Sequence, residues 1–336
     1  MMETLIYKKL DDNKVKCEMC NHFCVIKNKK SGICNVRENQ QGILKSLVYD
    51  KIIAKNIDPI EKKPVFHLKP GSLSYSVATV GCNFKCLFCQ NFNIAQMPLN
   101  NKHIPGFKMT PKEIVNQAVK ENCKSISFTY TEPTIYFELA LETAKLAKDK
   151  GLFNIFVTNG YMSSKALKKI APFLDAANVD LKAFNEKFYK EQCKAKLEPV
   201  KENLKLMKSL KILVEITTLL IPGLNDDINE IKAMADFIAK SLGKKTPWHI
   251  SRFYPCYKSS QINPTPVKTL KQAYKIGKDA GLRYVYTGNV AGLESENTFC
   301  HFCNKIIVKR YSYDVENFIT KKGECPYCNT KVYGIF

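Results

Sequence analysis

From residue 73 onward the chain alternates two hydrophobic rhythms. Short apolar runs of three to nine residues, rich in Val, Ile, Leu and Phe, have the length and composition of buried strands. They fall at Leu73–Val80, Ser125–Tyr130, Phe153–Thr158, Ala177–Leu181, Ile212–Leu220, Trp248–Phe253 and Tyr284–Tyr286. Between them lie segments with helical spacing at 110–122, 133–150, 163–173, 185–195, 199–209, 226–242 and 266–280. Thr110-Pro111-Lys112-Glu113 has the residues of a helix start, with Thr as cap and Pro in the first turn. Gly151 and Gly281 stand where two helices should stop. Strands alternating with helices predict parallel βαβ units, and six or seven units fit a partial (β/α) TIM-like barrel. In such α/β folds the chemistry gathers at the C-terminal ends of the strands.

Both ends of the chain break this rhythm with cysteine. The pattern divides the protein into an N-terminal Cys-rich module (1–45), a connector (46–72), the core (73–292) and a C-terminal Cys-rich module (293–336). The connector stretch Asp58–Gly71 carries three prolines and should run extended rather than helical. His67 in it could approach the active site or pack as an ordinary connector residue.

Eleven of the 14 cysteines fall into three tight groups. Without an apolar signal core at the N-terminus, such grouping points to metal binding in a reducing, cytoplasmic setting rather than to disulfides. Cys123, Cys193 and Cys256 stand outside the groups and read as incidental thiols. Cys17, Cys20, Cys24 and Cys34 suit a zinc ion, with an auxiliary iron–sulfur cluster or no metal as the other readings. Cys300, Cys303, Cys325 and Cys328 form paired CxxC knuckles, which predict a structural zinc ribbon, with rubredoxin-like iron second.

The middle group, Cys82, Cys86 and Cys89, lies in Gly81-Cys82-Asn83-Phe84-Lys85-Cys86-Leu87-Phe88-Cys89-Gln90-Asn91, directly after the first core strand. Three thiolates on one short loop suit a cubane iron–sulfur cluster and leave one of its irons open, the mark of a reactive centre.

The net charge of +21 raises the question of nucleic acid. However, 48 of the 52 basic residues are Lys, scattered without a long block, and they read as solvated surface. The most apolar stretch, Ile212 to Leu224, is short and interrupted by Glu215, so no membrane helix is expected.

The loop GCNFKCLFCQN resembles the cluster loop of the radical S-adenosylmethionine (SAM) superfamily, and is similar to that of the glycyl-radical-enzyme activators. The resemblance implies that a [4Fe-4S] cluster on Cys82, Cys86 and Cys89 binds SAM and cleaves it reductively to methionine and a 5′-deoxyadenosyl radical. It also implies an electron donor such as ferredoxin or flavodoxin. Tyr130-Thr131-Glu132-Pro133 stands where the superfamily has a Gly-Gly-Glu-type motif for the SAM amino group; only Glu132 carries over. Asn159, after the third strand, can reach ribose or carboxylate groups. Asp180 and Lys182, two apart on one strand, point the same way and resemble the polar pair that holds SAM in the activators. His249 and Arg252 on Trp248–Phe253 are expected substrate contacts, or else structural residues at the barrel mouth.

Over nearly its whole length the chain resembles the radical SAM enzyme of the AmmeMemoRadiSam system, a group similar to pyruvate formate-lyase activating enzymes. That resemblance implies association with Memo-type and Ammecr-type proteins and leaves the substrate open. Three functions follow: hydrogen abstraction from a small molecule, glycyl-radical activation of a partner protein, or an RNA- or protein-binding role for the zinc modules.

Overall fold

The computed structural model describes residues 1–97 and 104–336. Its centre is one eight-stranded sheet. In chain order the strands are β1 (Ala54–Pro59), β2 (Leu73–Ala78), β3 (Ser125–Phe128), β4 (Phe153–Thr158), β5 (Ala176–Asp180), β6 (Leu213–Leu220), β7 (Trp248–Arg252) and β8 (Val285–Gly288). Each lies beside its neighbour in sequence, so the sheet runs β8-β7-β6-β5-β4-β3-β2-β1. From β2 to β8 every pairing is parallel. The sheet is an open part-barrel with β1 and β8 at its two edges.

The helices between the strands follow the expected positions. They are α1 (Pro111–Lys120), α2 (Phe137–Asp149), α3 (Ser164–Ile170), α4 (Glu198–Ser209), α5 (Ile228–Phe237) and α6 (Val267–Asp279). α1 begins with a complete capping box, in which Thr110 Oγ1 accepts from Glu113 N and the Glu113 carboxylate accepts from Thr110 N. Its buried face is Ile114, Val115 and Ala118. Burying a Val- or Ile-sized side chain in this way contributes about 1.5–3 kcal/mol. Segment 185–195 is a single helical turn, Glu186–Phe188, followed by a π-turn at Tyr189–Cys193.

The connector is less simple than expected. Its Ala54–Pro59 stretch is β1, antiparallel to β2 from Ala54↔Ala78 to Pro59↔Leu73. The prolines do permit this: Pro59 ends the strand, and Ile60–Lys62 turns away as a 3-10 turn. Beyond it the chain runs beneath the sheet. Phe66 and His67 donate their backbone N–H groups to the Glu215 carboxylate of β6. His67 is fully buried, between the Tyr286 hydroxyl and the Tyr333 carbonyl, so it is neither a cavity residue nor a surface one.

The terminal modules are small sheets laid against this body. The N-terminal one is fastened by a buried bidentate pair: Arg37 donates to both oxygens of Glu138 on α2, at 2.8 and 3.0 Å. Deleting one member of such a pair costs about 3–5 kcal/mol, because the other charge is left buried alone. The C-terminal module carries a hairpin, β9 (Ile306–Tyr311) and β10 (Asp314–Asn317). Arg310 on β9 stacks its guanidinium 4.0 Å from the centre of the Phe66 ring and donates to the Phe66 carbonyl.

Candidate functional site

The C-terminal strand ends and the loops that follow them enclose a cavity of about 550 Å³. Cys82, Cys86 and Cys89 all line it, and so do Glu132, Asn159, Asp180 and Lys182. Residues far apart in sequence meet here because parallel strands deliver every loop of this kind to the same end.

The cysteine loop is held from behind. Lys85 N and Leu87 N donate to the carbonyls of Cys193 and Gln192 on the π-turn. Cys193 also sits beside Cys86, and Cys256 Sγ donates to the Cys89 carbonyl at 3.1 Å. These two thiols, which look incidental in the sequence, therefore abut the cluster loop. As free thiols the three loop cysteines resist ionisation. Burial and the nearby Glu132 charge push Cys82 up, the Cys193 hydrogen bond and burial push Cys86 up, and burial takes Cys89 to about 12. A cationic iron centre held by these three cysteines would invert that balance by binding the thiolates directly.

Glu132 is almost wholly buried and heavily committed. Its Oε1 accepts from Thr134 N at 3.1 Å, Thr134 Oγ1 at 2.5 Å and Thr158 Oγ1 at 2.8 Å. Among the described residues Oε2 accepts only from Asn159 N, at 2.8 Å. Each carboxylate oxygen offers about two acceptor positions, so Oε2, with one bond, retains one. Burial raises the Glu132 pKa, and the bonds from Thr134, Asn159 and Thr158 pull it partly back. Asn159 uses its amide locally, donating to Asn83 Oδ1 at 2.7 Å and accepting from Tyr161 N. On the opposite wall Lys182 Nζ donates to Asp180 Oδ2 at 3.0 Å. Burial works against its charge, but Asp180 and the Cys86 and Cys193 thiols outweigh that and raise its pKa well above the usual lysine value.

Among the described residues, two further cavity residues end in polar atoms without partners: Asn178 Oδ1 and Thr217 Oγ1, both buried. An orphaned buried acceptor or hydroxyl costs about 1–3 kcal/mol, and a polar ligand in the cavity would satisfy both. With three loop thiols, a spare carboxylate position and a lysine, the donor set fits a ligated metal cluster beside a zwitterionic molecule.

The two expected substrate contacts lie elsewhere. His249 shares the inward face of β7 with Ser251, which does reach the cavity. Its ring turns to Glu215 instead, at 2.7 Å, and stacks on Tyr286. Glu215, on the neighbouring strand, is kept below the ordinary carboxylate range: burial opposes this, and His249, His67 and the Phe66 N–H overcome it. Arg252 faces the other side of β7, where it donates to the Thr265 carbonyl and the Tyr254 hydroxyl. Both residues are absent from the lining because nearer hydrogen-bond partners claim them.

Lys62 and Lys63 enter from the connector, which the sequence did not mark as part of the site. Lys63 is buried against Asp58 at 2.5 Å and lies over the Tyr130 ring. Burial pushes its pKa down to about 8, with Asp58 pulling the other way. Tyr313, at the tip of the β9–β10 hairpin, completes the rim.

In the C-terminal module Cys300 Sγ lies 3.6 Å from Cys328 Sγ, and Cys303 Sγ 3.7 Å from Cys325 Sγ. All four sulfurs fall within 4.8 Å of one another, close enough to hold one metal ion. Among the described residues no helix is long and apolar enough to cross a membrane.

Residues 76–238 match the family model of the radical SAM superfamily. An uncharacterized protein of Methanocaldococcus jannaschii is 45% identical over 334 residues, covering 99% of both chains. A second protein of that organism, provisionally described as a glycyl-radical enzyme activating enzyme, is 34% identical over 172 residues, 49% of this chain and 62% of that one. The solved structure of a radical SAM methyltransferase from Sphaerobacter thermophilus shares the fold with a TM-score of 0.52 at 14% identity, over 66% of this chain and 67% of that one. With the family model over β2 to α5 and the cysteine loop at the mouth of an open α/β barrel, the chain belongs to the radical SAM superfamily.

Proposed function

We propose that this enzyme holds a [4Fe-4S] cluster on Cys82, Cys86 and Cys89 and uses it to cleave SAM for hydrogen abstraction from a substrate bound in the same cavity. The carrying observation is that these three thiols share one cavity with Glu132, Asp180 and Lys182. When bound, the cluster and SAM together supply the 5′-deoxyadenosyl radical. The chain's own residues bind and orient. Glu132 Oε2, with one acceptor position free, receives the methionyl ammonium. Lys182, with two N–H groups beyond its bond to Asp180, pairs with a carboxylate of SAM or of the substrate. Asn159 fixes the wall between them, while Asn178 Oδ1 and Thr217 Oγ1 meet polar groups further along the ligand. A low-potential one-electron donor such as a ferredoxin or flavodoxin supplies the electron.

A second reading makes the substrate a partner protein, as in glycyl-radical activation. It is favoured by the relatives that are described as activating enzymes, which match about half of this chain. The resemblance to the AmmeMemoRadiSam group favours Memo-type and Ammecr-type proteins as associates. The test is direct. Protein reconstituted with iron and sulfide, given SAM and a reductant, should yield methionine and 5′-deoxyadenosine. Cys82→Ala, Cys86→Ala and Cys89→Ala should each abolish the yield. Full cleavage in those three variants, or none in a fully loaded wild type, would overturn the assignment. A glycyl-type paramagnetic signal on a co-incubated partner would select the second reading.

A further inference from the structure

The N-terminal cysteines differ from the C-terminal ones in how they are arranged. A tetrahedral zinc with Zn–S bonds of about 2.3 Å sets its sulfurs about 3.8 Å apart. The C-terminal four meet that spacing, with pairs at 3.6 and 3.7 Å and all four within 4.8 Å. Among the described residues they are the group that does so. Cys17, Cys20, Cys24 and Cys34 instead all line one small cavity. In this they match Cys82, Cys86 and Cys89, the iron–sulfur loop of the family, which also share a cavity.

The surroundings suit a buried, thiolate-ligated centre. The rest of the wall is mainly apolar, with Met19, Ile26, Ile33 and Ile135, and the Arg37 guanidinium closes one side. All four cysteines are free thiols. Gly32 keeps the space clear, since a Cβ there would come within 3.2 Å of Ile26 Cδ1 and 3.6 Å of Cys24 Sγ. The module also lies directly behind the cluster loop. Asn83, next to Cys82, lines this cavity, and its carbonyl bonds to His22 Nε2 at 2.8 Å. A Cβ on Gly81 would sit 3.1 Å from the Cys34 carbonyl.

We propose that Cys17, Cys20, Cys24 and Cys34 hold an auxiliary iron–sulfur cluster, and that zinc is confined to the C-terminal module. Four thiolates ligate every iron of a cubane, so this cluster has no open position and does not bind SAM. The assignment does not depend on which substrate the enzyme uses.

The experiment is a metal count on anaerobically reconstituted full-length protein. A variant carrying Cys82→Ala, Cys86→Ala and Cys89→Ala removes the loop cluster. It should keep about four irons and about four acid-labile sulfides per chain, about one zinc, and a paramagnetic signal on reduction that added SAM leaves unchanged. Iron near zero with two zinc ions, or iron without sulfide, overturns the proposal. If that variant does not fold, the wild type decides: about eight irons with one zinc supports it, and about four irons with two zinc ions refutes it. Cys17→Ala with Cys34→Ala should lower the wild-type iron content by about half.

Discussion

Replacing Glu132 with Gln separates a carboxylate that binds from one that only braces. The side chain accepts four hydrogen bonds, three at Oε1 and one at Oε2. In Glu132→Gln the amide oxygen should take the three-donor side, which turns the new NH2 toward the Asn159 N–H. Two donors then face each other, and a buried N–H loses its partner. That costs about 1–3 kcal/mol of folding stability even without ligand. The variant also loses the charged acceptor proposed for the SAM ammonium, an interaction of about 1.5–3 kcal/mol. Affinity for SAM should therefore fall roughly 10- to 100-fold. Thr158→Val is the control, since it removes one donor to Oε1 and keeps the charge and the free position on Oε2. It should lower stability by about 1 kcal/mol and leave SAM binding within about twofold. The assay pairs anaerobic titration calorimetry of SAM on cluster-loaded protein with denaturant unfolding of the same samples. If Glu132→Gln loses stability but binds SAM as the wild type does, Glu132 is a brace for the Thr158–Asn159 turn and its ligand role is refuted.

Gly81→Ala should weaken the docking of the N-terminal module on the cluster loop, because Gly81 has φ +99° and a Cβ would meet Val36 Cγ1 at 2.8 Å. A loss of about 1–3 kcal/mol in denaturant unfolding is expected, and adding Val36→Ala should restore only part of it, since the Cys34 carbonyl and the dihedral remain. Cys325→Ser should release the C-terminal metal and make the β9–β10 hairpin sensitive to limited proteolysis, while 5′-deoxyadenosine formation persists in part; complete loss of cleavage with an intact loop cluster would contradict a structural role for that module. His67 gives a pH signature. Burial takes its pKa from 6.5 to about 4, so the unfolded chain binds the extra proton first between those values. Its contribution is whole above about pH 6.5 and disappears as pH falls toward 4, at most about 3 kcal/mol. Unfolding midpoints measured from neutral pH down to about pH 5 should fall more steeply in the wild type than in His67→Asn; parallel curves would refute it.

The parallel core was legible because each of its elements repeats a simple rule. Phe153–Thr158 is a mainly apolar run, buried or half-buried throughout, and Thr110 to Glu113 spells a cap. β1 was not legible as a strand: Ala54-Lys55-Asn56-Ile57-Asp58-Pro59 is largely polar, pairs with β2 through its backbone, and is braced by Asn56 and Asp58 side-chain bonds to the remote Tyr130 hydroxyl. The site was readable where chemistry is local. The three loop cysteines, and Asp180 with Lys182, sit within a few residues of one another. It was unreadable where the deciding partner is remote. His249 looks available on its strand, but Glu215, 34 positions earlier, takes it. Cys193 and Cys256 have no partner in the sequence and find one only when the π-turn and the chain after β7 fold against the loop. Polar residues such as Asn178 and Thr217 carry no motif at all; their unpaired atoms are visible only in three dimensions.

The hairpin that ends in Tyr313 joins two kinds of stability at one doorway. β1 and β8 leave the side of the barrel open, and Tyr313 and Lys62 stand together on the rim of the cavity. Arg310 ties the hairpin to Glu61 and to the Phe66 carbonyl, and the four-sulfur knot anchors its base. A metal held by those four sulfurs would therefore help set the size of molecule admitted, from outside the strands that line the cavity. Stripping that metal would widen the aperture without altering the reactive loop. Preparations depleted of it should accept bulkier substrates at the same radical chemistry, a selectivity change that a sequence comparison of the core would never reveal.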